Sequence, residues 1–320
     1  MRLVFMGTPD FSVPALQALV SGGHDVVGVF TQPDRRAGRG KNLKPSPVKV
    51  AAEKLGLPVF QPEKIKTSEG TQQLRALAPD SIIVVAYGQI LSKDILQLPS
   101  KGCINVHASL LPAYRGAAPI HWAVMRGELR TGVTTMLMDE GLDTGDMLLK
   151  QEVLISNEAT TGEIHDELAV LGGKLLLTTL DELEKGILIP TPQTGESNYA
   201  SLLKREHEGL DWSRRAVELH NQIRGLNPWP GAFATFRGEN LKIWRSGIFL
   251  QTDNSLENEA FAQEDIAGPG QIIQVLGEGL LVRTGEGVLQ ILEVQPAGKR
   301  PMPARDFFNG RHGQVGEKLG

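Results

Sequence analysis

Short apolar runs and amphipathic stretches alternate along the first half of the chain. Leu3 to Met6 is an unbroken apolar run closed by Gly7, and Val13, Leu16, Leu19 and Val20 then recur at helical spacing from about Asp10. "DVVGVF" at 25–30 reads as a second buried strand. Over 46–56 a helix is predicted, with Ser46 as its cap, Pro47 at its first position and Gly56 at its end. "PVF" at 58–60 fits a short strand, "TQQLRALAPD" a helix, "SIIVVAY" at 81–87 the most apolar strand, and "GCINVH" at 102–107 the next. Apolar strands alternating with helices predict a parallel sheet covered on both faces. Ligands of such sheets bind outside the carboxyl ends of the strands. Gly7, Tyr87-Gly88 and Asn105 to His107 all fall at such ends.

"GVTTMLMD" and "MLLKQEVLI" predict two further strands joined by the loop "EGLDTGD". A long helix follows, with Thr160 and Glu163 as a capping box and Gly186 as its stop. Near residue 187 the pattern changes. "ILIPTPQTGESNYASLL" has the prolines and small polar residues of a linker. A short helix near Arg214–Arg224 precedes five β-like runs separated by turn residues, which predict a small antiparallel barrel. Trp229, Trp244 and Phe236 are read as its core. The expected boundaries are 1–189 for the sheet domain, 190–207 for the linker and 208–320 for the barrel.

Composition changes this picture little. A chain of 320 residues suits two domains, with 41% apolar and 22% charged residues. The net charge of −4 gives no overall pull toward nucleic acid, so a polyanion would need a local patch. Cys103 is the only cysteine, which excludes a disulfide framework and a cysteine-based metal site and fits a reducing cytoplasm. The opening "MRLVFMGTPDF" reads as a first strand rather than a signal peptide, and no run approaches the ~18–20 apolar residues of a membrane span.

The chemistry concentrates at 102–119. Residues two apart in a strand share a face, so Asn105 and His107 point the same way. An Asn amide can donate to a developing oxyanion, and a His can hydrogen-bond the same center or take a proton. The pair suits attack on a carbonyl. No G-x-S-x-G elbow surrounds Ser109, and Cys103 lies deep in an apolar strand as an inert core residue. The nucleophile is therefore expected to belong to the substrate. A carboxylate partner for the imidazole should come from "MDEGLDTGDM", where Asp139, Glu140, Asp143 and Asp146 compete; Asp143, between Gly141 and Gly145, is the best placed, though spacing alone does not choose it. The chain lacks G-x-G-x-x-G, a Walker A loop, H-E-x-x-H and a calcium loop, so no metal is expected.

Directly after the second strand, "TQPDRRAGRGKNLKPSPVK" sets Arg35, Arg36, Arg39, Lys41, Lys44 and Lys49 against one acid, Asp34. A flexible cationic loop on the ligand side of the sheet suits a large polyanion such as RNA. "AGKRPMPAR" adds Lys299, Arg300 and Arg305.

"INVHASLLPAYRGAAPI", "GLDTGDML", "GTPDF", "TQPDRRAGRGK", "NPWPGA" and "VQPAGKR" together resemble the methionyl-tRNA formyltransferase family of folate-dependent formyltransferases, over nearly the whole chain. The resemblance implies a Rossmann-like, mostly parallel formyltransferase domain linked to an OB-like β-barrel that binds tRNA. It implies transfer of the formyl group of 10-formyltetrahydrofolate to the α-amine of methionine on initiator methionyl-tRNA, by a cytoplasmic monomer. It carries the catalytic trio onto Asn105, His107 and Asp143. It places folate contacts at Ser109, Leu110, Leu111 and Pro112, at Tyr87, Gly88, Ile90 and Leu91, and at Asp139. Its tRNA contacts fall on Arg35, Arg36, Arg39, Lys41 and Lys44, with Lys299 and Arg300 from the barrel. The nearest alternative is another folate-linked enzyme, a formyl-folate hydrolase or a formyltransferase with a sugar or purine-precursor acceptor.

Overall fold

A computed structural model describes residues 1–37, 42–249 and 268–320. The chain divides into two compact units. The first comprises Met1–Pro119, Arg130–Val153 and His165–Ser201; the second comprises Ile120–Leu129, Leu154–Ile164 and Leu202–Gly320.

Unit one is built on strands β1 (Arg2–Gly7), β2 (Asp25–Phe30), β3 (Arg35–Ala37), β4 (Asn42–Lys44), β5 (Val59–Phe60), β6 (Ser81–Val85), β7 (Cys103–His107), β8 (Arg115–Gly116), β9 (Arg130–Leu137), β10 (Met147–Leu154) and β11 (Tyr199–Ala200). Its helices are α1 (Val13–Ser21), α2 (Pro47–Lys54), α3 (Ser68–Ala76), α4 (Lys93–Leu96), α5 (Pro119–Met125), which runs into unit two, and α6 (Thr161–Lys185), which begins there. Seven strands form one sheet in the order β10-β9-β7-β6-β1-β2-β5. Pairings from β5 through β7 are parallel, and β7 pairs antiparallel with β9.

Side-chain alternation decides what each face receives. Val4, Met6, Ile82, Val84 and Cys103 pack with Leu74 of α3 and Ile95 of α4 on one face. On the other, α6 comes close enough that a Cβ at Gly172 would stand 3.0 Å from Val106, and one at Gly173 would stand 3.0 Å from the Pro14 carbonyl of α1. Two adjacent glycines thus let one helix meet both sheet and helix. Caps fall where the sequence predicts them: Ser46 accepts from Lys49 N, and the Thr160 and Glu163 side chains each accept from the other's backbone N–H.

Unit two contains α7 (Ala216–Gly225), strands β12 (Ala232–Phe236), β13 (Glu239–Phe249), β14 (Ile272–Leu276), β15 (Gly279–Arg283), β16 (Val288–Pro296) and β17 (Met302–Pro303), and helix α8 (Ala304–Gly310). The antiparallel ladder runs β12-β13-β16-β15-β14. Its two edge strands are tied together by the segment 316–320, which bridges Phe236 through Leu319 and Gln271 through Lys318. Leu219, Ile223 and Leu226 pack against Ile243, Ile291 and Val294 in its core.

Several expectations need revision. The chain crosses between the units several times, the last time at Ser201/Leu202, so the stretch 190–207 is divided between them. Composition suggested a linker there because a segment held by backbone bonds needs no apolar periodicity. Phe236 is core, but Trp229 is 42% exposed and Trp244 is half-buried beneath the Lys242 ammonium, 5.2 Å from its ring. The basic loop begins and ends as a short hairpin, β3 with β4.

Candidate active site

β7 carries Asn105 and His107 to the carboxyl end of the sheet. Asn105 is paired with Val84 on one side and Met136 on the other; His107 stands opposite Thr134. The strand register therefore fixes both Cα positions, and alternation puts both side chains on the face of Cys103. Asn105 is half-buried, and His107 is 6% exposed.

Two residues of unusual backbone complete the arrangement. Tyr114 has φ +59° and Asp143 has φ +53°, in the left-handed region that non-glycine residues seldom occupy. Tyr114 turns its carbonyl to His107 Nε2, 2.9 Å away. A carbonyl only accepts, so Nε2 is the protonated nitrogen and Nδ1 is left facing Asp143. Nδ1 lies 3.7 Å from Asp143 Oδ2. The same Oδ2 accepts from Gly116 N at 2.8 Å, and Oδ1 accepts from Asn105 Nδ2 at 3.4 Å. Asp143 thus faces both members of the pair.

Two of the three competing acids are engaged elsewhere. Asp139 accepts from Gly141 N and Thr144 Oγ1 within its own turn, and Glu140 pairs with Lys93 at 2.9 Å. A Cβ at Gly145 would stand 1.9 Å from the Leu137 carbonyl, so the return of the acidic loop to β10 requires glycine.

The segment expected to touch folate is largely a scaffold. Ser109 is buried and donates its hydroxyl to Ala113 O at 2.6 Å, while its carbonyl accepts from Thr134 Oγ1 at 2.7 Å. Leu111 packs with Met136 and Met147; Leu110 and Pro112 are half-buried. Tyr87 and Leu91 are core side chains, leaving only their backbone for a ligand. The Tyr87 hydroxyl is buried with no partner among the described residues, and burial pushes its pKa upward. Gly88 takes φ +83°, and Ile90 is 87% exposed, an apolar side chain open at a strand end. Cys103 is buried in the same cluster, and desolvation pushes its thiol up to about 12.

In the basic hairpin, Arg35 pairs with Lys44 and Arg36 with Leu43; Arg39 and Lys41 lie outside the described residues. Hydrogen bonds from Gln61 and Lys49, each 2.7 Å, hold the Asp34 carboxyl below its usual range. Lys49 is thereby engaged, while Arg35 and Lys44 are exposed. In unit two, Lys299 and Arg300 are exposed in the turn between β16 and β17. Among the described residues no cluster of His, Cys, Asp and Glu could hold a metal ion.

Sequence reasoning missed the segment 191–200. Thr191 exchanges two backbone bonds with Met147, and Tyr199–Ala200 pairs with Arg115–Gly116. Gln193 bonds Arg115 and the Asp143 loop, and the Asn198 side chain accepts from Tyr114 N. Only the two amides in a run of Pro, Thr, Gly and Ser signal it, and such composition reads as linker.

The formyl transferase family matches residues 1–180, and the formyl transferase C-terminal domain matches residues 202–312. The chain belongs to the formyl transferase family. The methionyl-tRNA formyltransferase of Pelotomaculum thermopropionicum is 52% identical over 320 residues, covering 100% of this chain and 99% of that protein. That of Bacillus subtilis is 50% identical over 321 residues, covering 100% and 98%. Within the family the chain groups with the methionyl-tRNA formyltransferases. A solved N-formyltransferase from Helicobacter canadensis, in complex with folinic acid and dTDP-3-aminofucose, shares the fold at TM-score 0.66 and 18% identity, covering 92% of this chain and 99% of that one.

Proposed function

We propose that the protein moves the formyl group of 10-formyltetrahydrofolate to the α-amine of methionine esterified to initiator tRNA, with Asn105, His107 and Asp143 as its catalytic residues. One observation carries the reading: the three side chains converge at a strand end, in a chain about half-identical over its length to methionyl-tRNA formyltransferases.

The nucleophile is the acceptor's own nitrogen, so no serine or cysteine nucleophile is required. An α-amine titrates near ~7.7–8, and an ester neighbor lowers that, so a large share is neutral at pH 7. Attack on the formyl carbonyl builds an oxyanion. Asn105 Nδ2 carries two hydrogens: one faces Asp143 Oδ1 at 3.4 Å, and the other is free to donate to that oxygen. His107, held through Nε2 by the Tyr114 carbonyl, leaves Nδ1, beside Asp143, as the nitrogen that serves the same center. Asp143 Oδ2 is placed to receive a hydrogen bond from Nδ1 once that nitrogen carries a proton. The transfer needs one proton to leave the attacking amine and one to reach the departing folate nitrogen, and His107 Nδ1 with Asp143 supplies that relay.

Folate lies along Tyr87 to Leu91 and the turn 109–112, with Asp139 shaping the neighboring loop. The folinic acid bound to the Helicobacter canadensis enzyme supports this ligand class. Arg35, Arg36, Arg39, Lys41 and Lys44, with Lys299 and Arg300, meet tRNA phosphates. The enzyme works in the cytoplasm; no helix among the described residues is long and apolar enough to cross a membrane.

The test is a transfer assay with labeled formyl-folate and, in parallel, methionyl initiator tRNA, free methionine and a nucleotide-linked amino sugar. Label should enter only the charged initiator tRNA. Label in the sugar, or release of free formate alone, refutes the acceptor assignment.

A further inference from the structure

The segment 191–200 bears on both groups that orient the imidazole. Of residues 191–199 only Gln193 and Asn198 are half-buried; the others are exposed. The segment therefore contributes little apolar burial, and what it turns inward is two amides.

An amide offers two donors and two lone pairs. Gln193 Nε2 donates to Asp143 O at 2.8 Å and to Gly145 O at 2.9 Å. Its Oε1 accepts from Arg115 Nε at 3.0 Å and Nη2 at 2.7 Å. All four positions are used. Arg115 is followed by Gly116, whose N–H holds the Asp143 carboxylate at 2.8 Å. Asp143 is thus gripped at its carbonyl by Gln193 and at its side chain by Gly116, and Gln193 joins the two grips through Arg115. A residue at φ +53° is not in a default backbone well, so its carbonyl direction depends on outside bonds. Asn198 does the corresponding task at Tyr114, φ +59°, whose carbonyl fixes His107.

We propose that Gln193 is a positioning residue for the transfer reaction: it acts through Asp143, setting where the carboxylate stands relative to His107 and Asn105. The proposal rests on the assignment of Asp143 given above. Misplacing a catalytic group by about 1 Å can cost roughly 100-fold. Gln193→Met keeps the volume and removes all four bonds. Gln193→Glu keeps the link to Arg115 and turns an oxygen toward two carbonyls.

Each substitution is made in the wild-type and Asp143→Asn backgrounds of the full chain. Single-turnover kcat, both KM values, its pH profile and the melting temperature are measured. In the wild-type background both variants should lower kcat about 10- to 100-fold, leave both KM values within about threefold and displace the pH profile. In the Asp143→Asn background they should change kcat by less than about threefold, because groups acting as a unit are not additive. Wild-type kcat in both Gln193 variants overturns the proposal, as does an equal loss in both backgrounds or a change confined to KM. If neither variant folds, the residue serves the fold and the proposal also fails. A wild-type rate in Asp143→Asn alone removes the underlying assignment; a slow Asp143→Asn beside fast Gln193 variants removes only the positioning role.

Discussion

Replacing Asp143 with Asn is the sharpest probe of the active-site reading, because the surroundings offer the new amide no good orientation. With its oxygen toward Gly116 N–H, now 2.8 Å from Asp143 Oδ2, the new NH2 faces Asn105 Nδ2 across 3.4 Å, donor against donor. The reverse orientation sets the NH2 against the Gly116 N–H. Asn105 could flip its own amide to accept, but its donors would then leave the carbonyl center. The substitution also removes the negative charge 3.7 Å from His107 Nδ1. A lost hydrogen bond to a charged group is worth about 1.5–3 kcal/mol and an unmatched buried donor about 1–3 kcal/mol. Part of that sum falls equally on the ground state and does not slow the reaction; the loss of transition-state stabilization is about 2–4 kcal/mol, or roughly 30- to 1000-fold in rate. Single-turnover transfer to methionyl initiator tRNA with enzyme in excess measures the chemical step without interference from product release. Asp139→Asn is the control: that carboxylate serves its own turn, so the loss should be smaller. A rate for Asp143→Asn within threefold of wild type, or a larger loss for Asp139→Asn, would refute the reasoning.

Two further outcomes follow from the charged hairpin and the buried thiol. Alanine at Arg35, Arg36, Arg39 and Lys41 should raise KM for the charged tRNA and flatten its salt dependence by about 0.7–0.9 in logarithmic slope for each phosphate no longer neutralized; if only the folate KM moves, the hairpin does not meet RNA. Burial pushes Cys103 up to about 12, so its thiolate form is scarce below that pH. Alkylation of the native protein between pH 7 and 9 should be negligible and should become fast only on unfolding. Rapid modification of the folded protein would show that the thiol is accessible.

The parts legible in the sequence were those governed by periodicity. Alternation in a strand put Asn105 and His107 on one face, and apolar runs marked the successive strands of the sheet. Caps at Ser46 and Thr160 were legible because they depend on neighbors a few residues away. Asp143 could be ranked but not chosen, since loop acids compete on equal terms until Asp139 is seen to bond its own turn. The segment 191–200 escaped because it is held by single amides and a two-residue strand pair, neither of which leaves a repeating pattern. The units themselves are discontinuous: Ile120–Leu129 and Leu154–Ile164 belong to unit two, and no composition change announces either excursion.

Gln193 reaches back to a residue 50 positions upstream, and this has a bearing on synthesis. Chains emerge from the ribosome at about 5–20 residues per second, so roughly 3–10 seconds separate the two residues. During that interval a nascent chain already carries both strand-end groups and the acidic loop, yet lacks the amide that grips the loop. Competence for transfer should therefore arrive no earlier than when about two hundred residues have left the exit tunnel, and not when the last catalytic side chain is made.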